Sequence, residues 1–322
     1  MFTPVHTSFG ALLLYQSSSS LLLHNGLVLG VSSLLAGFML NPSRHNVPII
    51  VGLLSSVVPI YLFMPSLLPT YPEAPSSWAS LLSTIGTGFL LGWGAKSGKG
   101  CTSGHMLCGL SRLSARSLIA TSIFFITALL TANFFSEIPP CSPGSPCYTP
   151  AYPSSLELMF IVGATALTFV TNAFVIPRTM HRSERSRLIF SYLAGLQFGT
   201  GLLISGMADP VKVLRFFAFL TDPARFDPSL ALVILFGIAP SLITNLSMKP
   251  GQKASKPTLA ETWRLPTATV ADIDWRFVLG AMVFGVAWGL KGVCPGPAIL
   301  RSVLQPTWGL AEMAGYLLGS LI

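Results

Sequence analysis

Apolar positions in this chain come in long unbroken blocks, over residues 21–40, 47–68, 78–95, 118–135, 156–176, 188–207, 230–246, 277–290 and 310–322. Most of these blocks approach the roughly 20 residues that a helix needs to cross a ~30 Å hydrocarbon core. The pattern predicts an all-α polytopic membrane protein, 1–322 as a single transmembrane domain, with about nine transmembrane helices. The first twenty residues lack both the basic flank and the small-residue cleavage site of a secretory signal, so the first span is expected to be retained.

Two blocks end in short glycine-rich segments at corresponding places in the two halves. Gly92-Trp93-Gly94-Ala95-Lys96-Ser97-Gly98-Lys99-Gly100 leads into Cys101-Thr102-Ser103-Gly104-His105, and Trp288-Gly289-Leu290-Lys291-Gly292-Val293 leads into Cys294-Pro295-Gly296-Pro297. Paired Gly/Pro-broken apolar segments are the best sequence pointer to the binding site of a transporter. A helix that starts inside the membrane presents unpaired N–H groups and a positive dipole end, which together make an anion site. Pro295 suits the first helical position after Cys294, and Gly100, Gly104, Gly292 and Gly296 allow sharp turns and close approach. The candidate substrate-binding residues are Cys101, Thr102, Ser103, Gly104, His105, Gly292, Cys294 and Gly296. Two thiols there can meet a soft, polarisable anion without repelling it as carboxylates would or trapping it as lysines would.

Composition sharpens this picture. The chain is 51% hydrophobic and 9% charged, whereas soluble domains carry about a quarter charged residues. The net charge of +8 is what a membrane protein collects in cytoplasmic loops and gives no reason to invoke nucleic acid; the lipid bilayer is the partner it implies. Taking the spans in order puts Arg44, Lys96, Lys99, Arg112, Arg116, Arg178, Arg182, Arg185, Arg187, Lys249, Lys253, Lys256, Arg264 and Arg276 on one face. The other face receives Lys212, Arg215, Arg225, Lys291 and Arg301. The positive-inside rule makes the first face cytoplasmic, with the N-terminus outside and the C-terminus inside, and makes the plasma membrane a reasonable location.

The same count runs the segment before Cys101 inward and the one before Cys294 outward. Two inverted repeats follow, over 21–135 and 188–322, with a connecting helix and basic loop over 156–187 and re-entrant half-helices meeting near the midplane. A weaker pairing sets Ala36-Gly37 to Arg44 against Ser205-Gly206 to Lys212, each with Asn or Asp before Pro. Cys141 and Cys147 lie in a Pro- and Ser-rich outer loop where a disulfide is expected; the polar segment 249–269 reads as a flexible linker.

Other readings of the same residues remain. Cys108 reads as a small apolar filler, and Asp209 with Lys212 as a pair holding a turn. Arg112 and Arg116 read as anchors. His105 is open between a polar link and a site residue, and Lys96, Lys99 and Lys291 between interfacial anchors and sources of positive potential. Glu157 and Glu312 fall near span ends, and no buried carboxylate pair marks a proton relay. A thiol activated by His105 and Lys99 would make a persulfide-forming sulfurtransferase, and Cys101, His105 and Cys108 together would be three ligands of a metal site. The metal motif shows no fourth protein ligand, a purely structural membrane scaffold gives no reason for two matched, Gly-flanked thiols, and transport remains the leading expectation, with no enzyme activity, cofactor or metal expected.

The motifs Gly100 to His105, Cys108 to Ser117, Ser205 to Val213 and Gly292 to Pro297 resemble the YeeE/YedE sulfur-transport family. The resemblance covers about residues 26–322 and this chain looks like a fused form of a unit that bacterial relatives often split in two. It implies thiosulfate uptake through an inverted-repeat helical fold, with Cys101 and Cys294 as relay thiols that pass the anion by S–H hydrogen bonds, and it leaves room for a sulfur-accepting cytoplasmic protein. Relatives can carry a further cysteine near the segment aligned with Gly37 to Arg44; this chain has none before Cys101.

Overall fold

The computed structural model describes residues 1–71, 77–141, 145–251 and 256–322; Lys253, assigned above to the basic face, lies outside them. Apart from two isolated β-bridges, the described residues form an all-helical fold. In chain order the elements are α1 (Pro4–Asn25), α2 (Val31–Leu40), α3 (Val47–Phe63), α4 (Trp78–Ser97), α5 (Thr102–Gly109), α6 (Ala115–Phe135) and α7 (Ser155–Thr179). They continue with α8 (Glu184–Ser205), α9 (Pro210–Phe217), α10 (Pro228–Met248), α11 (Trp275–Lys291), α12 (Pro295–Leu304) and α13 (Pro306–Leu321). By length and composition α6, α7, α8, α10 and the Trp275–Leu304 stretch can cross a membrane, and the protein is an integral, polytopic membrane protein. The helices α1 and α4, with 22 and 20 residues, have the length as well.

The order long helix, tight turn, short helix, long helix occurs four times, with α2, α5, α9 and α12 as the short members. Glycine sets how closely the long helices pack. A Cβ on Gly88 would come within 2.3 Å of the Glu312 carbonyl oxygen, and one on Gly92 within 2.2 Å of that of Tyr316. The reverse contacts are as tight, with Gly315 against Ile85 at 2.0 Å and Gly319 against Phe89 at 2.1 Å. Two small-xxx-small stripes therefore let α4 and α13 pack backbone to backbone and parallel, which in lipid is a main source of association energy. By the same contacts α11 runs parallel to α6 and antiparallel to α4, through Gly285 on Phe124 and Gly94 on Phe284. The helix α8 runs antiparallel to α1, with Gly10 on Ser205 at one end and the Ser17 hydroxyl on the Ala194 carbonyl at the other.

Two expectations are corrected here. The apolar block 21–40 is not one span: α1 already covers Pro4–Asn25, and the chain breaks at residues 26–30 before α2. The run Ser17 to Ser20 hides this helix from a hydropathy reading, yet hydroxyls in it are bonded inside: Ser18 donates to the Leu14 carbonyl at 2.8 Å and Ser19 bonds the Ser241 hydroxyl at 3.1 Å. The described part of segment 249–269 is not a free linker. Thr258 and Leu259 donate backbone hydrogen bonds to Leu23 and His24 at 3.1 and 2.8 Å, and Arg264 donates to Gly26 at 2.7 Å. It caps the orphan carbonyls at the end of α1, and Leu259 is fully buried. In the outer loop Cys141 and Cys147 form the expected disulfide.

Candidate functional site

Each short helix begins at a residue in extended conformation: Gly30 for α2, Cys101 for α5, Asp209 for α9 and Cys294 for α12. These N-termini converge. The Val31 N–H donates to the Ser103 hydroxyl at 3.0 Å, tying the tip of α2 to that of α5. Thr102 and Cys294 line one cavity, which brings the tips of α5 and α12 together. Gly292 closes the set: its φ of +66° makes the turn into Cys294, and a Cβ there would meet the Pro210 carbonyl at the start of α9 at 2.2 Å.

Cys101, Thr102, Ser103, Cys294 and Gly296 share the wall of one small central cavity of about 40 Å³, completed by apolar side chains such as Met207 and Phe198. Both thiols are free and buried, and the Cys101 Sγ lies 3.2 Å from the Ser103 hydroxyl. The tips of α5 and α12, each carrying a thiol, thus meet at one mostly apolar cavity.

Beyond the tip of α5 the molecule opens into a vestibule of about 980 Å³. Lys96, Lys99, Arg112, Arg116 and Lys249 line it, with no Asp or Glu among its described lining residues. The helices α2 and α5 run from the cavity along this vestibule, whereas α9 ends at the outer loop, where Arg215 donates to the Pro139 carbonyl at 3.0 Å. Clefts lined by one sign of charge concentrate the opposite ion.

Gly104 and His105 line the vestibule rather than the central cavity. Both His105 ring nitrogens are engaged, Nδ1 with the Ser117 hydroxyl at 3.1 Å and Nε2 with the Gly98 carbonyl at 3.0 Å, so the ring braces the turn that delivers Cys101. Gly104 lets α5 approach the Gly30 backbone. The Cys108 thiol donates to the Leu29 carbonyl at 3.3 Å, fixing the break before α2. Among the described residues, no three His, Cys, Asp or Glu side chains come close enough to hold a metal ion. Asp209 and Lys212 do not pair as expected. Asp209 caps α9 by accepting the Val211 N–H at 2.9 Å, while the Lys212 ammonium donates to the Thr3 and Thr7 hydroxyls.

The residue that sequence reasoning missed is Gly30, the α2 tip. Its signal is present in the Gly26–Gly30 spacing ahead of an apolar ten-residue run, but was obscured by placing the first span too late.

A polytopic helical fold in which the tips of four half-length helices meet, two of them carrying thiols, is that of a membrane transport protein. The family described as Sulphur transport matches residues 65–130, and a family of unknown function, DUF6691, matches residues 186–318. Two proteins of Xylella fastidiosa (strain Temecula1 / ATCC 700964), each described as a probable transporter, are similar to this chain. One is 37% identical over 120 residues, 37% of this chain and 76% of the relative. The other is 36% identical over 127 residues, 39% of this chain and 90% of the relative. These relatives are thus about half as long as the chain. The chain belongs to the YeeE/YedE sulfur-transport family.

Proposed function

We propose that this protein takes up thiosulfate, or a closely related small sulfur anion, across the plasma membrane, with its N-terminus outside and its C-terminus in the cytoplasm. The observation that carries this reading is the pair of buried thiols, Cys101 and Cys294, at the tips of oppositely directed half-helices around one cavity. A dianion arriving there exchanges part of its hydration for N–H, O–H and S–H donors. Weak sites in series favour passage over trapping. The basic vestibule then draws the anion away toward the cytoplasm.

The antiparallel relation of α4 to α11 and of α1 to α8 supports two inverted repeats joined by α7. The first then starts with α1 rather than at residue 21, and Gly30 is the counterpart of Asp209 in place of the Asn41 suggested by the motif. Half-length relatives fit a fused origin.

The sulfurtransferase reading is weaker. The Cys101 thiol is bonded to the Ser103 hydroxyl, and the His105 ring is occupied by Ser117 and Gly98, so neither histidine nitrogen is poised to take its proton. Uptake of sulfur-labelled thiosulfate into proteoliposomes, with sulfate as competitor, tests the proposal. Thiosulfate-selective accumulation is expected. No uptake by folded protein, with a persulfide on Cys101 by mass spectrometry, would favour the enzyme.

A further inference from the structure

The path described above leaves one buried ion pair without a role. Arg301, near the end of α12, and Glu312, in the second turn of α13, meet at 3.4 Å with side chains 15% and 4% exposed. Glu312 does not sit at the membrane edge, as its place in the sequence suggested. Its backbone packs on Gly88, midway along α4, and its charge reaches Cys294.

The pair is loosely made. The 3.4 Å contact with Arg301 Nη1 is the one hydrogen bond found for the Glu312 carboxylate among the described residues. The other guanidinium nitrogens, Nε and Nη2, go to the Gln305 Oε1 at 3.1 and 3.0 Å. Over the guanidinium lies the Tyr71 ring, 5.1 Å away, and its hydroxyl is buried without a hydrogen-bond partner among the described residues. One guanidinium edge held by a long contact and one unused hydroxyl are donors for an oxyanion.

We propose that Arg301, with Tyr71, receives the incoming anion on the side of the cavity away from the vestibule, and that Glu312 is a counter-ion the anion displaces, taking up one proton as it does so. This rests on the reading of the chain as a sulfur-anion carrier. A guanidinium that turns to a dianion leaves behind a buried carboxylate, and an isolated charge there is costly. Protonation of Glu312, the proton coming from bulk solvent, removes that charge. When the anion moves on to Cys294, the proton leaves and the pair re-forms. Among the described residues the other groups facing Glu312 are few. Lys291 on α11 adds a cation and Tyr71 a phenol, with Asp209 beyond it; α2 has no titratable side chain, and α4 has none before Lys96.

Isothermal titration of detergent-solubilised protein with sodium thiosulfate tests this, in two buffers of different ionisation enthalpy between about pH 5 and 8. Thiosulfate stays a dianion throughout, so any proton belongs to the protein. Wild type is expected to take up close to one proton per anion, its affinity falling by up to about tenfold per pH unit. Glu312→Gln should take up none and bind independently of pH, and Arg301→Gln should bind more weakly at every pH. Proton-free binding by wild type overturns the latch without needing any variant to fold, and so does an unchanged pH dependence in Glu312→Gln; thiosulfate uptake would stand in both cases. No thiosulfate binding by folded wild type removes the carrier reading, and the latch with it.

Discussion

Ser103 accepts the backbone N–H of Val31 at 3.0 Å across 72 residues of sequence, so the tip of one short helix is held by the hydroxyl beside the thiol of another. The same oxygen lies 3.2 Å from the Cys101 Sγ. Ser103 therefore aligns α2 with α5 and orients the thiol. Ser103→Ala leaves a buried N–H without its acceptor, which costs about 1–3 kcal/mol. A lower melting temperature and reduced uptake are expected together, and Ser103→Thr should restore part of both.

Packing of α4 on α13 is as sensitive to one methyl group. Gly315→Ala places a Cβ 2.0 Å from the Ile85 carbonyl oxygen, and the helices must separate. Overpacking of this kind costs about 1–3 kcal/mol. The same substitution at Gly163, which has nothing within 4 Å of an added Cβ, is the control and should leave thermal stability in detergent unchanged.

The vestibule should matter for anion movement on its own side. Removing two of its five described cations with Lys99→Gln and Lys249→Gln weakens the local potential but leaves the thiols in place. Efflux from loaded vesicles should show KM raised several-fold at low ionic strength. The difference should shrink near 0.1 M salt, where the Debye length is about 10 Å. An equal effect at all salt concentrations would point to misfolding.

Docking of the 256–265 segment on the end of α1 predicts slow exchange at the Thr258, Leu259 and Arg264 amides, which donate to Leu23, His24 and Gly26. Leu259→Asp puts a charge into a fully buried position and should release the segment, bringing all three amides to fast exchange.

Much of this architecture is legible in the sequence, and the exceptions have physical causes. Cys101 and Cys294 could be placed because glycine and proline interrupt apolar runs only where the backbone must turn inside the membrane. The helix α1 was hidden because hydropathy scores the hydroxyls of Ser17 to Ser20 as polar, although Ser17 and Ser18 donate to the Ala194 and Leu14 carbonyls and Ser19 bonds the Ser241 hydroxyl. Glu312 looked peripheral because the last apolar block begins at Leu310, but α13 starts at Pro306 and is drawn inward by its glycine stripe. The pairing of Asp209 with Lys212 failed because a carboxylate at a helix start is better used as a cap. Composition also cannot show that a polar segment docks through its backbone, as 256–265 does.

The most direct test of the central claim is labelled thiosulfate uptake into proteoliposomes by Cys101→Ala and Cys294→Ala, each checked for wild-type elution and melting temperature. The paired-thiol path predicts that both folded variants lose uptake while Cys108→Ala, whose thiol bonds the Leu29 carbonyl away from the central cavity, keeps most of it. Wild-type uptake by folded Cys101→Ala or Cys294→Ala would contradict it.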